Sequence, residues 1–263
     1  MTINIQFSKL FTIILFLFEA LLFAQKVPPP PPKPPKHNTT GKNDTGSLRM
    51  YGEESVKTFP AFTIPLSASE DERSVYFHQT VEEKLVKLDS TITPEQIISF
   101  TKFKISKNQI DPRLLDSLAN KAYKQIEEQK YPDAIATAKI LLAKSPNNIT
   151  GHKEISLAYK KTGDEKLSSL HFAMLTKILK AVFKYGDGTA YFPFLVNNFF
   201  EGISIYEAAF RCKPNKITLI ADKKGRLLGA YNGYSSAMDQ ILIRYSDLTH
   251  WKSQLKKGDY TEE

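Results

Sequence analysis

The sequence predicts an α+β fold: helical hairpins followed by a small antiparallel β-rich C-terminal cap. Three observations carry this. Apolar residues recur at helical spacing between residues 111 and 184. Short apolar runs after residue 190 are separated by turn residues. Between the two stands Gly186-Asp187-Gly188-Thr189, a turn signature where the helical pattern stops.

The first element is not part of that fold. An apolar run from Leu10 to Phe18 follows the basic Lys9 and closes at Ala24, the pattern of a secretory signal peptide over residues 1–24 with cleavage between Ala24 and Gln25. A spanning helix needs about 20 apolar residues, and Glu19 interrupts this shorter run. No cysteine lies near the cleavage point, so lipidation is not expected. The product is expected to be periplasmic or secreted. With Cys212 as the one cysteine, an exported chain closes no internal disulfide and must be held by a packed core.

Residues 25–69 read as a proline-rich disordered linker. Pro28 to Pro32, Pro34 and Pro35 favour a polyproline II rod, and the stretch after it is polar and rich in Gly, Asn and Thr. About half of the net charge of +8 lies between Lys26 and Met50, which leaves the folded remainder mildly basic. A nucleic-acid partner is therefore not expected, because such binders concentrate charge on a folded face.

Helical pattern begins near Glu70, with Val75, Phe77, Val81, Leu85 and Leu88 as its apolar face. Thr93-Pro94-Glu95-Gln96 is a helix start: Thr93 caps, Pro94 suits the first turn and Gln96 completes a capping box. Leu115, Leu118, Ala122 and Ile126 then mark one helix, and Ala134, Ala138 and Leu141 the next. Pro146-Asn147-Asn148 breaks the chain. Ile155, Ala158 and Tyr159 mark a third helix, Thr162-Gly163-Asp164 a second break, and Leu167, Leu175 and Leu179 a fourth helix ending near Tyr185. Ala122, Ala134, Pro146, Tyr159, Gly163 and Phe172, with Ser156 and Ser168 at positions that need small residues, resemble two tetratricopeptide-type repeats of period about 34 residues. About three repeats are needed to bury a continuous core, so the pair is expected to lean on flanking elements. The helical region is thus residues 70–185.

In the C-terminal region, 186–263, Gly186 is expected as a left-handed helix cap. A strand is expected over 192–196, a helix over 199–211, and strands over 216–222, 227–231 and 240–245. Asp222-Lys223-Lys224-Gly225 forms the hairpin turn.

Three places in order, Ser90-Thr91-Ile92-Thr93-Pro94-Glu95-Gln96, Tyr131 to Tyr159, and Gly186-Asp187-Gly188-Thr189 before a β-rich end, resemble the exported Bacteroidota proteins grouped as domain-of-unknown-function family 4919. The resemblance covers roughly residues 75 to 250 and departs from the family pattern at Tyr191-Phe192-Pro193-Phe194. It implies an exported helical-plus-β fold with no established activity.

No Gly-x-Ser-x-Gly elbow, His-Glu-x-x-His helix or phosphate-cradling glycine loop occurs. No metal or cofactor is expected. His171, beside Phe172, reads as a packed core residue and Cys212 as a small buried hydrophobe. Asp89-Ser90-Thr91 and Asp116-Ser117-Leu118 match a short O-glycosylation pattern, with Ser90 and Ser117 as acceptors, and read equally as a loop and a helix start. The expected function is that of a non-enzymatic interaction or scaffold protein of the bacterial envelope, contacting another envelope protein or a polymer. The alternative is an uncharacterised enzyme or small-ligand carrier with a pocket between helices and β cap. Asp187, Thr189, Cys212 and His250 are its junction residues, and Phe192, Phe194, Phe199 and Tyr206 its aromatic lining.

Overall fold

The computed structural model describes residues 59–235, 239–256 and 258–262. The expected signal peptide, its cleavage point at Ala24 and Gln25, and the proline run lie outside the described residues. Residues 59–69, at the end of the expected linker, lie against the folded part. The Phe59 ring sits 5.1 Å from Phe192 and the Phe62 ring 5.3 Å from Tyr185. A 3₁₀ turn at Leu66–Ser69 follows, with Ser69 Oγ 2.8 Å from Ser99 Oγ.

Seven α-helices occur among the described residues: α1 (His78–Val86), α2 (Pro94–Ser106), α3 (Pro112–Glu127), α4 (Tyr131–Lys144), α5 (Ile149–Thr162), α6 (Glu165–Tyr185) and α7 (Phe199–Phe210). Their starts follow the local chemistry. Thr93 and Gln96 form the capping box of α2, and Asp111, Asn148 and Asp164 each accept the N–H three residues on in α3, α5 and α6. Gly163 closes α5 at φ 88°, a left-handed position that glycine takes without steric cost. Val75 is solvent-exposed, and its carbonyl is taken by Gln96 Nε2 at 2.6 Å.

Consecutive helices from α3 to α6 pack side by side, and α2 closes against α6. Ala122, Ala138, Ile155 and Tyr159 form one buried cluster of this stack. The small positions at 156 and 168 are contact points between α5 and α6: Ser156 Oγ donates to the Ser168 carbonyl at 2.9 Å. No helix among the described residues is long and apolar enough to cross a membrane.

Among the described residues five strands form one sheet in the order β1-β4-β3-β2-β5: β1 (Phe194–Leu195), β2 (Lys216–Ala221), β3 (Leu227–Ser235), β4 (Gln240–Asp247) and β5 (Thr261–Glu262). The fold is α+β, but the sheet is mixed rather than purely antiparallel. The β2-β3-β4 meander is antiparallel, while β1 runs parallel to β4 and β5 parallel to β2. The chain leaves β1 through α7 and returns beside it only after the meander, which fixes that direction.

Two local expectations are corrected. Gly186 is extended (φ −164°), and the left-handed residue of the turn is Gly188 at φ 75°. The 192–196 strand shrinks to two residues, because the Phe192 carbonyl is used inside the turn, accepting from the N–H groups of Asp187 and Gly188 at 3.1 and 3.0 Å.

Helix α7 positions everything that follows. It is apolar around most of its circumference, as a helix buried on both sides must be. Phe200 packs on the Leu115, Ala119 and Leu141 cluster of the stack. Phe199, Ile203, Tyr206 and Phe210 pack on Tyr231 and Leu242 of the sheet.

Candidate functional site

The buried polar groups gather where the N-termini of α5 and α7 meet. Two Asn-Asn pairs, Asn147-Asn148 and Asn197-Asn198, each precede one of these helices. Asn148 Nδ2 donates to Asn198 Oδ1 at 2.9 Å, and Asn198 Nδ2 donates to Asp116 Oδ1 at 2.6 Å. Asn198 does not cap its own helix with its side chain. Asp116, from the second turn of α3, does so instead, accepting the Phe200 N–H at 2.8 Å. Glu201 accepts the Asn197 N–H at 2.6 Å and the Ile149 N–H at 2.8 Å, so one carboxyl group serves both helix starts. Thr150 Oγ1 and Ser204 Oγ, 2.8 Å apart, extend the contact one turn further.

Burial pushes the Glu201 carboxyl up to about 7, against the pull of the N–H groups of Asn197 and Ile149. It pushes Asp116 up to about 6, against the bonds from Asn198 and Phe200. Two carboxyl groups titrating near neutrality resemble an acid–base pair. Their surroundings, however, are those of caps. Both Glu201 oxygens accept from Asn197 or Ile149, and the beginnings of α5 and α7 occupy the space in front of them.

A second knot ties the same helices one turn away. Lys153 of α5 lies 2.8 Å from Glu154 and 2.5 Å from Glu207 of α7, with its ammonium 5.2 Å from the Tyr123 ring centroid. Burial opposes the charge on Lys153, but the two carboxylates outweigh it and hold its pKa above the usual lysine value.

Of the four residues expected at the junction, only His250 joins it, its Nε2 donating to the Asn197 carbonyl at 2.9 Å. Asp187 and Thr189 serve their own turn: Asp187 Oδ1 accepts the Thr189 N–H at 2.9 Å and Thr189 Oγ1 the Phe192 N–H at 3.2 Å. Cys212 is half-buried against the Tyr206 cluster. The aromatic residues pack against one another: Phe194 edge-on to Phe183 and stacked on Phe210, Phe199 tilted against Tyr231 and Trp251. Tyr206 donates to the Leu242 carbonyl at 2.5 Å. A cavity reaches the junction from the side of α2 and α3, lined by Phe100, Lys104, Lys144, Asn147 and Asn197, with a volume of about 80 Å³. Ligand pockets are typically about 300 Å³ or larger. Ser90 and Ser117 are both exposed.

His171 is tied to a partner the sequence did not point to. His152 Nε2 lies 2.9 Å from the Pro146 carbonyl, which only accepts, so this nitrogen carries the proton. His152 Nδ1 is then an acceptor, and His171 Nδ1, 3.0 Å away, must donate to it. The pair is thus held neutral. Burial depresses His152 to about 3 and His171 to about 4. Groups with a folded pKa below the unfolded value of 6.5 contribute stability above 6.5 that is lost as pH falls through the folded value. His171→Phe should therefore be less stable than wild type at pH 7, because His152 Nδ1 loses its donor. It should also show a shallower loss between pH 6.5 and about 4.5, by up to one proton or about 1.4 kcal/mol per pH unit. Urea unfolding across that range measures the slope, and an unchanged slope would refute the pairing.

Comparison with family models, with curated proteins and with solved structures finds no match to this chain. Among the described residues no group of three or more His, Cys, Asp or Glu side chains is placed to hold a metal ion. The residues that sequence reasoning missed are Asn148, Asn197, Asn198 and Glu201. Their signal was the Asn-Asn pair before each helix, with a Glu at the third position of α7.

Proposed function

We propose that the chain is an exported, non-enzymatic interaction protein of the bacterial envelope. In this reading a helical stack of tetratricopeptide kind is its rigid core, and the outer face of the sheet is its contact surface. The family resemblance noted above, residues 75 to 250, belongs to the same proposal. The observation that carries it is an apolar strip on that face. Tyr231, Gly233 and Leu242 face α7, so by alternation Tyr234, Ile241 and Ile243 face away from it. They are 53%, 69% and 44% exposed. Tyr234 stands directly opposite Ile241 across the β3–β4 ladder. Exposed apolar residues grouped on one face mark interaction sites more often than scattered ones do. The polar junction, by contrast, spends its carboxylates on helix starts.

A photo-crosslinking residue placed at Ile241 in exporting cells should give a discrete protein adduct. The same residue at Lys121, exposed on α3, should give none. Absence of an adduct at Ile241 would end the proposal.

A further inference from the structure

We infer that a second copy of the chain pairs with this sheet, joined edge to edge through β4 with Leu242 on a two-fold axis. The inference goes beyond the reading of the outer sheet face as a contact surface: the second copy takes the β4 edge beside that face and leaves the face open.

Strand β4 is an open edge over most of its length. The short β1 pairs only with Ser246 and Asp247. The Tyr245 N–H points away from β3 and is taken by the Gly188 carbonyl at 2.7 Å. In an antiparallel ladder the backbone groups alternate between the two sides of a strand. Ile243 and Ile241 therefore aim their N–H and C=O groups outward as Tyr245 does. Among the described residues, the bond found there is from Arg244 Nη1 to the Ile243 carbonyl at 2.9 Å. Natural edges are usually blunted by lysine, proline, a bulge or short length. This one presents Ile241-Leu242-Ile243.

The edge is self-complementary, and this selects a second copy over an unrelated strand. In an antiparallel pair only outward-pointing residues can exchange hydrogen bonds, so shifting the register by one residue breaks every bond. Three registers keep the parity near the open stretch. Centring on Ile241 sets Ile243 against Asp239 of the second copy, an apolar group against a charge. Centring on Ile243 sets Ile241 against Tyr245, whose N–H already belongs to Gly188. Centring on Leu242 sets Ile241 against Ile243 of the second copy and Ile243 against Ile241. It uses the outward groups of Ile241 and Ile243 on both strands, the Ile243 carbonyl accepting a second bond beside that from Arg244, and brings no like charges opposite each other. The four isoleucines then join the two Tyr234 rings on one face of a continuous sheet, an isologous contact. Because two short strands bury less than about 1,200 Å², a weak dimer with a micromolar dissociation constant is expected.

Sedimentation equilibrium of the exported chain at up to about 100 µM, well above that constant, should show a dimer. Ile243→Lys should be monomeric with an unchanged circular dichroism spectrum and Tm, because that side chain is already exposed. Register is tested by disulfide trapping in a Cys212→Ser background. Hydrogen-bonded antiparallel pairs hold Cα atoms about 5.5 Å apart, within disulfide reach. Ile241→Cys mixed with Ile243→Cys should therefore give a cross-linked heterodimer, and neither variant should cross-link alone. A wild-type monomer, a dimer that survives Ile243→Lys, or a mixture that fails to cross-link would each overturn the inference. A monomer that still gives an Ile241 photo-adduct with a different protein overturns the dimer and leaves the contact surface standing. A monomer with no adduct overturns both.

Discussion

Gly202→Ala should destabilise the chain by about 3 kcal/mol, a sign opposite to that of helix propensity. Alanine inside a helix is ordinarily favoured over glycine by about 1 kcal/mol. Here a Cβ on residue 202 would lie 2.1 Å from Tyr231 Cζ and 2.3 Å from its hydroxyl. The tyrosine has nowhere to go. It is 1% exposed, its ring lies 5.5 Å from that of Phe199, and its hydroxyl donates to the Phe199 carbonyl at 2.7 Å. The methyl group must push α7 off the sheet or break that bond. Denaturant unfolding gives the sign directly, and an alanine variant as stable as wild type would show that α7 and β3 are not so closely apposed. Tyr231→Leu should recover part of the loss in the double variant, since the clash is with the ring end.

Glu201→Ala should be of similar size, about 3 kcal/mol, because the Ile149 and Asn197 N–H groups would be left buried without acceptors. Its pH dependence is the stronger test. A carboxyl group whose folded pKa is raised contributes stability that is fully present below its unfolded value and is lost as pH rises through the folded one. For Glu201 and Asp116 the folded values are about 7 and about 6, so these two groups contribute a decline in stability that runs from about pH 4 to about pH 7. Glu201→Ala should flatten that decline. Between about pH 4.5 and 6.5 the neutral His152 and His171 act in the opposite sense, so wild type should be nearly level there and decline only between about pH 6.5 and 7.5. A wild-type stability that rises from about pH 4.5 to 6.5 and does not fall above that would mean that the carboxyl groups are ionised at the junction, and that the helix N-termini outweigh burial.

The contrast between these residues and those read from the sequence is one of range. Thr93 and Gln96, and the Asp222 to Gly225 hairpin, act on groups within a few residues of themselves, so their chemistry was visible in order. Gly186 misled because two glycines flank Asp187 and local rules favour either as the left-handed one. The choice fell to Gly188, where a Cβ would meet the Phe194 ring at 2.4 Å. Asp116 looked like part of a three-residue surface motif, yet its carboxyl group serves Asn198 and Phe200, more than 80 residues away.

The sequence by itself determined the α+β class, the capping box at Thr93, the chain breaks between successive helices, and the hairpin, because each follows from periodicity, capping and turn chemistry acting over a few residues. The tertiary structure decided that α7 is the layer between the helices and the sheet. It decided that Glu201 caps two helices at once, that the outer strands run parallel, and which apolar side chains remain outside. Those outcomes depend on which distant surfaces meet when the core closes, and a buried N–H accepts whichever oxygen the packing brings to it.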